Sequence, residues 1–264
     1  MDPPLSTVFD IDHIRHSSLV ASLDFHPEIS STNDQALRLA EIPGTALPAL
    51  VLADRQTAGR GRRTNRWWSD EGALTFSLVV DAVGEGIRQS DFPLVSLATA
   101  LGVGVALEAL LPGESFALKW PNDVYLAQRK VCGILLEVSA QAPSRLVLGI
   151  GVNVNNSLLA APPDVRDRAI ALCDVTALPL NLTGVLLGIT AGVLDEISCM
   201  KRGDLHLKSR WQPRCMLHGR TVRVDMGLRS VRGGCLGIDD QGALLVQDET
   251  GLHRCLAGVV SSIA

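Results

Sequence analysis

Apolar positions recur along this chain in three patterns, and each predicts a different kind of element. Residues 49–53 and 73–80 are short runs rich in Val, Leu, Phe and Thr, the pattern of buried strands. The segment FALKWPNDVYLAQRKVCGILLEV predicts strands at 117–120, 124–126 and 131–138, with a tight turn at Pro121-Asn122-Asp123. RLVLGIGVNVN, from Arg145 to Asn155, predicts a further strand ending in glycines. Helical patterns differ in width. From Ser90-Asp91-Phe92-Pro93 to about Leu111 the chain is apolar nearly all round, which predicts a helix buried against a sheet. There Gly102 and Gly104 leave no side chain between that helix and its neighbours. Residues 182–200 and 205–211 also read as helices, split at Arg202-Gly203. Ala36, Leu37, Leu39 and Ala40 supply a helix that Thr32 and Gln35 start as a capping box. From Gly219 the period drops to two, in short strands joined by Gly and Asp turns, which predicts an antiparallel barrel or sandwich of about fifty residues. Residues 1–20 show no periodicity and predict a loosely held arm.

Composition narrows the classes. With 264 residues, 47% hydrophobic and 20% charged, the chain can bury a core in one large domain or one large and one small. A net charge of −4 argues against a general nucleic-acid binder, which carries an excess of Lys and Arg. The six cysteines form no C-x-x-C pair or zinc-spaced cluster and read as reduced, mostly buried thiols, so no metal site is expected. Residues 1–19 lack a basic segment followed by an apolar core, and no uncharged apolar run is seen to reach membrane-spanning length. The expectation is a soluble, cytoplasmic protein.

Against that acidic background one segment stands out. Residues 54–72 read DRQTAGRGRRTNRWWSDEG and hold Arg55, Arg60, Arg62, Arg63 and Arg66, with Gly59 and Gly61 set among them and Trp67-Trp68 following. The segment lies between two predicted strands, and a loop this long is usually functional or disordered. Glycine lets backbone N–H groups approach an anion, and the planar arginine fork suits phosphate or carboxylate. Small-anion binding, nucleic-acid binding and plain solvated surface all fit this composition. Lysine is scarce, at four residues against 20 arginines, so Lys119 just before the Pro-Asn-Asp turn is conspicuous. Gly149-x-Gly151 fails as a dinucleotide fingerprint, because Val154 stands where the third small residue belongs and a loop follows.

Taken together and in order, SSTND at 30–34, QTAGRGRR at 56–63 with its RWW, KWPND at 119–123, KVCGILLE at 130–137 and GIGVNVN at 149–155 resemble the biotin protein ligases. The resemblance covers the chain from about Leu23 onward. It implies an α+β fold, a mixed β-sheet packed with helices as in the biotin/lipoate ligase-like catalytic domain, plus a small C-terminal SH3-like β-barrel. The corresponding organisation is an arm at 1–22, a catalytic domain at 23–214 and a small β domain at 215–264. The implied reaction joins biotin to MgATP as biotinyl-5′-AMP and then transfers biotin to a lysine of a biotin carboxyl carrier domain. Carried over residue by residue, Lys119, Arg60 and Arg62 are the expected catalytic cations. Ser31, Thr32, Asn33, Gln56, Arg60, Gly61, Arg62, Lys119 and Gly133 are expected at biotin, with apolar walls from Ile134 and Leu136. Arg60, Arg62, Trp67, Asn122 and Asn153 are expected at the nucleotide, with Trp67 stacking on adenine or anchoring the loop. ATP and Mg2+ are the implied cofactors. The short arm implies no DNA partner; no membrane partner is expected, and a monomer or homodimer is. A lipoate ligase is the nearest alternative, but its arginine pair followed by a glycine run is missing here.

Overall fold

The computed structural model describes residues 8–156, 158, 161–202 and 206–262. Seven strands form a mixed sheet in the order β1-β2-β3-β7-β6-β5-β4. They are β1 (Ser22–Ile29), β2 (Ala49–Gln56), β3 (Leu74–Asp81), β4 (Phe116–Lys119), β5 (Asp123–Leu126), β6 (Arg129–Val138) and β7 (Arg145–Val152). Only β1 and β2 run parallel; every other neighbour is antiparallel. Side chains alternate across the pleat, so each strand feeds two cores. One face carries Leu50, Leu52, Leu74, Phe76, Leu78 and Leu148 against helices α3 (Phe92–Leu110) and α6 (Leu182–Lys201). The other carries Ala49, Val51, Val79 and Val147 against Ala36 and Ala40 of α2 (Thr32–Glu41).

The two long helices cross at glycine. A Cβ on Gly102 would stand 2.7 Å from the Gly192 carbonyl oxygen, so small residues let the backbones touch. By length and composition α3 and α6 are both apolar enough to cross a membrane, although each carries charged side chains such as Glu108 and Glu196. Here they pack on each other, with α3 also on the sheet, the place such helices take in a protein core.

Two expectations about the N-terminal third change. Residues 8–16 are no loose arm: Phe9 and Ile14 are buried, and α1 (Ile11–His16) contacts α6. Asp10 starts α1 by accepting from the His13 N–H (2.9 Å) and donates its own N–H to Thr183 Oγ1 (2.9 Å). The first seven residues of the expected arm lie outside the described residues. Helix α2 is capped one residue earlier than the capping box predicts, by Ser31, whose Oγ accepts from the Asp34 N–H (3.4 Å).

Short helices α4 (Pro163–Arg166), α5 (Cys173–Thr176) and α7 (Leu207–Trp211) complete the larger unit. Beyond them β8 (Thr221–Asp225), β9 (Ser230–Ile238), β10 (Leu244–Asp248), β11 (Gly251–Cys255) and β12 (Val259–Ser262) form an antiparallel sheet ordered β11-β10-β9-β8-β12, as expected of an SH3-like barrel. The sheet docks on the larger unit. Trp120 Nε1 donates to the Gly242 carbonyl (3.0 Å), and the Met216 N–H donates to the Leu118 carbonyl (3.0 Å), one residue before Lys119.

Candidate active site

A cleft of about 210 Å³ opens on the α2 side of the sheet, at the glycine-rich ends of β6 and β7. It is lined by Ser31, Thr32, Asn33, Gln56, Arg60, Gly61, Arg62, Trp67, Lys119, Asn122 and Gly133, so eleven residues expected from four separate motifs meet in one place. Asn153 does not join them. Its buried amide oxygen accepts from Asn156 Nδ2 (3.1 Å), and it lies outside the lining. Leu136 is likewise packed against the core and lies outside the lining, whereas Ile134, Leu135 and Ile150 line the cleft.

One end of the cleft is a polar, hydrogen-bonded corner at the start of α2. Gln56 Oε1 accepts from the Thr32 N–H (2.7 Å) and the Thr32 hydroxyl (3.1 Å), leaving the Gln56 amide NH2 as a donor. Ser77 Oγ lies 2.9 Å from Thr32 Oγ1 and 2.6 Å from Asn33 Oδ1. Asn33 Nδ2 donates to the Leu135 carbonyl (3.2 Å) and to Glu137 (2.8 Å). Gly149 is required here, because a Cβ on it would overlap the Asn33 amide.

The arginine loop is folded on itself. Gly61 N–H donates to the Asn65 carbonyl (2.9 Å), Trp67 N–H donates to the Gly59 carbonyl (3.0 Å), and Arg60 pairs with Arg66. Its first arginine is committed: Arg60 Nη1 and Nη2 donate to Glu137 at 2.9 and 2.6 Å, and Asp34 stands 2.8 Å from Nη2. Those bonds, chiefly the one to Glu137, raise its pKa above the usual arginine range. Arg62 differs. Its Nη1 reaches the neutral Asn122 amide oxygen at 3.3 Å, and burial outweighs the attraction of nearby Asp123 and lowers its pKa. The Asn122 amide itself is fixed by donation to the Ile134 carbonyl (2.6 Å).

The other end of the cleft is cationic. Lys119 sits 3.5 Å from the Tyr125 hydroxyl and 5.5 Å above that ring; burial lowers the lysine's pKa and pushes Tyr125 up to about 12. Lys130 pairs with Asp123 at 2.6 Å and lies 5.8 Å over the Trp67 ring. Trp67 rests on the sheet, where a Cβ on Gly151 would stand 2.5 Å from its ring and one on Gly133 3.1 Å from it. Gly258, Val259 and Val260 of the C-terminal sheet close the remaining wall.

Residues 25–155 match the Biotin/lipoate A/B protein ligase family, and residues 217–261 match the Biotin protein ligase C terminal domain. A biotin--[acetyl-CoA-carboxylase] ligase from Paracoccus denitrificans is 32% identical over 84% of this chain and 92% of its own length. The chain belongs to the biotin protein ligases. A bifunctional ligase/repressor, BirA, from Bacillus spizizenii is 31% identical over 88% of this chain and 71% of its own length. A solved biotin protein ligase from Aquifex aeolicus, in complex with biotin and ATP, superposes with a TM-score of 0.79 at 31% identity, covering 92% of this chain and 99% of that one.

For a biotin protein ligase of this sequence, three residues of the site escape motif reading. Lys130 and Glu137 lie inside the quoted KVCGILLE segment, and strand alternation marks neither as facing a partner from α2 or the loop. Val259 belongs to a strand that only docking brings to the cleft. The donor set also bears on the metal. Among the described residues no cluster of three His, Cys, Asp or Glu side chains is present, and Asp123 is bonded to Lys130. These residues offer no carboxylate set of their own to magnesium, so the ion would enter with the nucleotide and would supply neutralisation of polyphosphate charge.

Proposed function

We propose that this chain activates biotin with MgATP as biotinyl-5′-AMP and then transfers the biotinyl group to one lysine of a biotin carboxyl carrier domain. In the first step a carboxylate oxygen of biotin bonds to the α-phosphorus and the bond to pyrophosphate breaks. In the second, the neutral acceptor amine attacks the acyl carbon, AMP leaves and the amine loses a proton.

The observation that carries this reading is the convergence, beside a closed polar corner, of lining cations that outnumber the lining carboxylates. Joining a carboxylate to a phosphate brings two anions together, and fixed cationic donors offset that repulsion and stabilise charge developing on the phosphoryl oxygens. Arg62, Lys119 and Lys130 stand where they serve both anions, and Asp123 is the one lining carboxylate among the described residues. Lys130 lies over Gly133, so it shares with Lys119 the role of meeting the biotin carboxylate. The corner formed by Ser31, Thr32 and Gln56 offers the paired donors and acceptors that a ureido ring needs, with Ile134 and Ile150 as the apolar wall. Trp67 offers a ring face to adenine, and Asn122 holds Arg62 toward the phosphate. An acyl-adenylate hydrolyses if water reaches it, so residues 57–68 act as the lid between the steps.

Biotin-dependent pyrophosphate exchange followed by transfer to a carrier domain tests the proposal. Lys119→Ala and Lys130→Ala are each expected to lower exchange on the order of 10²–10³-fold in folded protein. Exchange that depends on lipoate instead of biotin would overturn the reading, and near-normal exchange by either variant would remove that lysine from the role.

A further inference from the structure

Glu137 does not line the cleft, yet it touches both halves of the site. It lies in β6 opposite Val147 of β7, so its backbone is fixed inside the sheet. Its carboxylate accepts from Asn33 Nδ2, at the start of the polar corner, and from both terminal nitrogens of Arg60, at the start of the loop. Neither partner has freedom to turn elsewhere. The Asn33 amide is clamped by Ser77 and the Leu135 carbonyl, with the Cα of Gly149 against it. Arg60 is held a second time by Asp34, which belongs to the first turn of α2. The hairpin bonds Gly61–Asn65 and Trp67–Gly59 then transmit the placing of Arg60 to Arg62 and Trp67.

We propose that Glu137 is a positioning residue: one carboxylate that fixes the biotin corner and the arginine loop in register, with Arg60 as the loop's anchor and Arg62 as the cation left for the phosphate. The proposal deepens the reading of the cleft as a biotin and nucleotide site and rests on it. A guanidinium shared by two carboxylates has its charge already answered, whereas Arg62 is bonded only to a neutral amide. The assignment therefore divides two arginines that local sequence cannot tell apart.

The test uses the full chain with Glu137→Gln, which keeps the shape and one acceptor but loses the charge. Amide exchange of residues 59–67 in the ligand-free protein is expected to quicken on the order of tenfold, the loss of one charge-assisted pair. The KM for biotin should rise by a similar factor, about tenfold, while kcat at saturating biotin stays within about twofold, because the interaction is made equally in ground and transition states. Adding Arg60→Met to Glu137→Gln should quicken the exchange further only by the share that Asp34 holds, the amount that Asp34→Asn produces alone. A lowered thermal midpoint with unchanged loop exchange and unchanged KM would reduce Glu137 to an ordinary stabilising ion pair and overturn the proposal. If Glu137→Gln fails to fold, Asp34→Asn removes the second carboxylate from a half-exposed helix turn and should move loop exchange in the same direction; no movement overturns the proposal. Exchange in the free protein needs no catalysis, so its failure is separate from a failure of the biotin reading, which the parent's exchange assay reports.

Discussion

Substituting Gly151 by alanine isolates the seat of Trp67. Gly151 lies in β7, bonded on one side to Thr75 of β3 and on the other to Gly133 of β6, so its backbone has no room to retreat. Its backbone is not left-handed, so alanine brings no conformational strain and the whole effect is steric. The new Cβ would stand 2.5 Å from Trp67 Cε2 and 2.8 Å from Cζ2 and Nε1, closer than atoms of neighbouring side chains come. The indole must lift, and it is carried by a loop rather than by the sheet. Overpacking of this kind costs about 1–3 kcal/mol. Borne by the loop's closed state alone, that cost corresponds to a shift of roughly 5- to 150-fold in the closing equilibrium. The KM for ATP in biotin-dependent pyrophosphate exchange should rise within that range, and more biotinyl-5′-AMP should escape into solution. The thermal midpoint should barely move. An unchanged KM with full retention of the adenylate would show that the indole does not seat on Gly151 in the working enzyme.

Two further outcomes follow from burial. Because burial lowers the pKa of Lys119 below the ordinary 10.5, this cation is lost at a lower pH than a free lysine's. Adenylation should therefore fall on the alkaline side as pH rises through that lowered pKa, and Lys119→Arg should extend activity to higher pH. In stability the sign is opposite: the unfolded chain holds that proton up to 10.5, so the group's contribution to folding improves as pH rises between the two values. Separately, Ile14 is fully buried against the core, and Ile14→Ala should cost about 2–5 kcal/mol, read as a lowered thermal midpoint. A midpoint unchanged by that substitution would return residues 8–16 to the status of a loose arm.

Local pattern was enough to find most of the elements and most of the cleft. Strand alternation placed Lys119 on the face opposite Leu118 and Trp120, and the loop glycines marked where backbone N–H groups can approach an anion closely. Those are short-range constraints, set by period and by the size of one side chain, and they survive any arrangement of the remaining chain. Strand β1 was overlooked because only its partial burial against β2 identifies it, and α1 because a six-residue helix with one buried residue leaves no periodic signal. What the tertiary structure alone decided was partnership. Arg60 and Arg62 have the same local chemistry, but the order β1-β2-β3-β7-β6-β5-β4 sets Glu137 and Asp34 beside the first and a neutral amide beside the second. Docking of the second sheet brought Val259 to the cleft wall, while Asn153 is held away from the cleft by a neighbour three residues on, Asn156. Charge and hydrogen bonding act across a few ångströms of space regardless of separation along the chain, so these assignments exist only once the sheet is assembled.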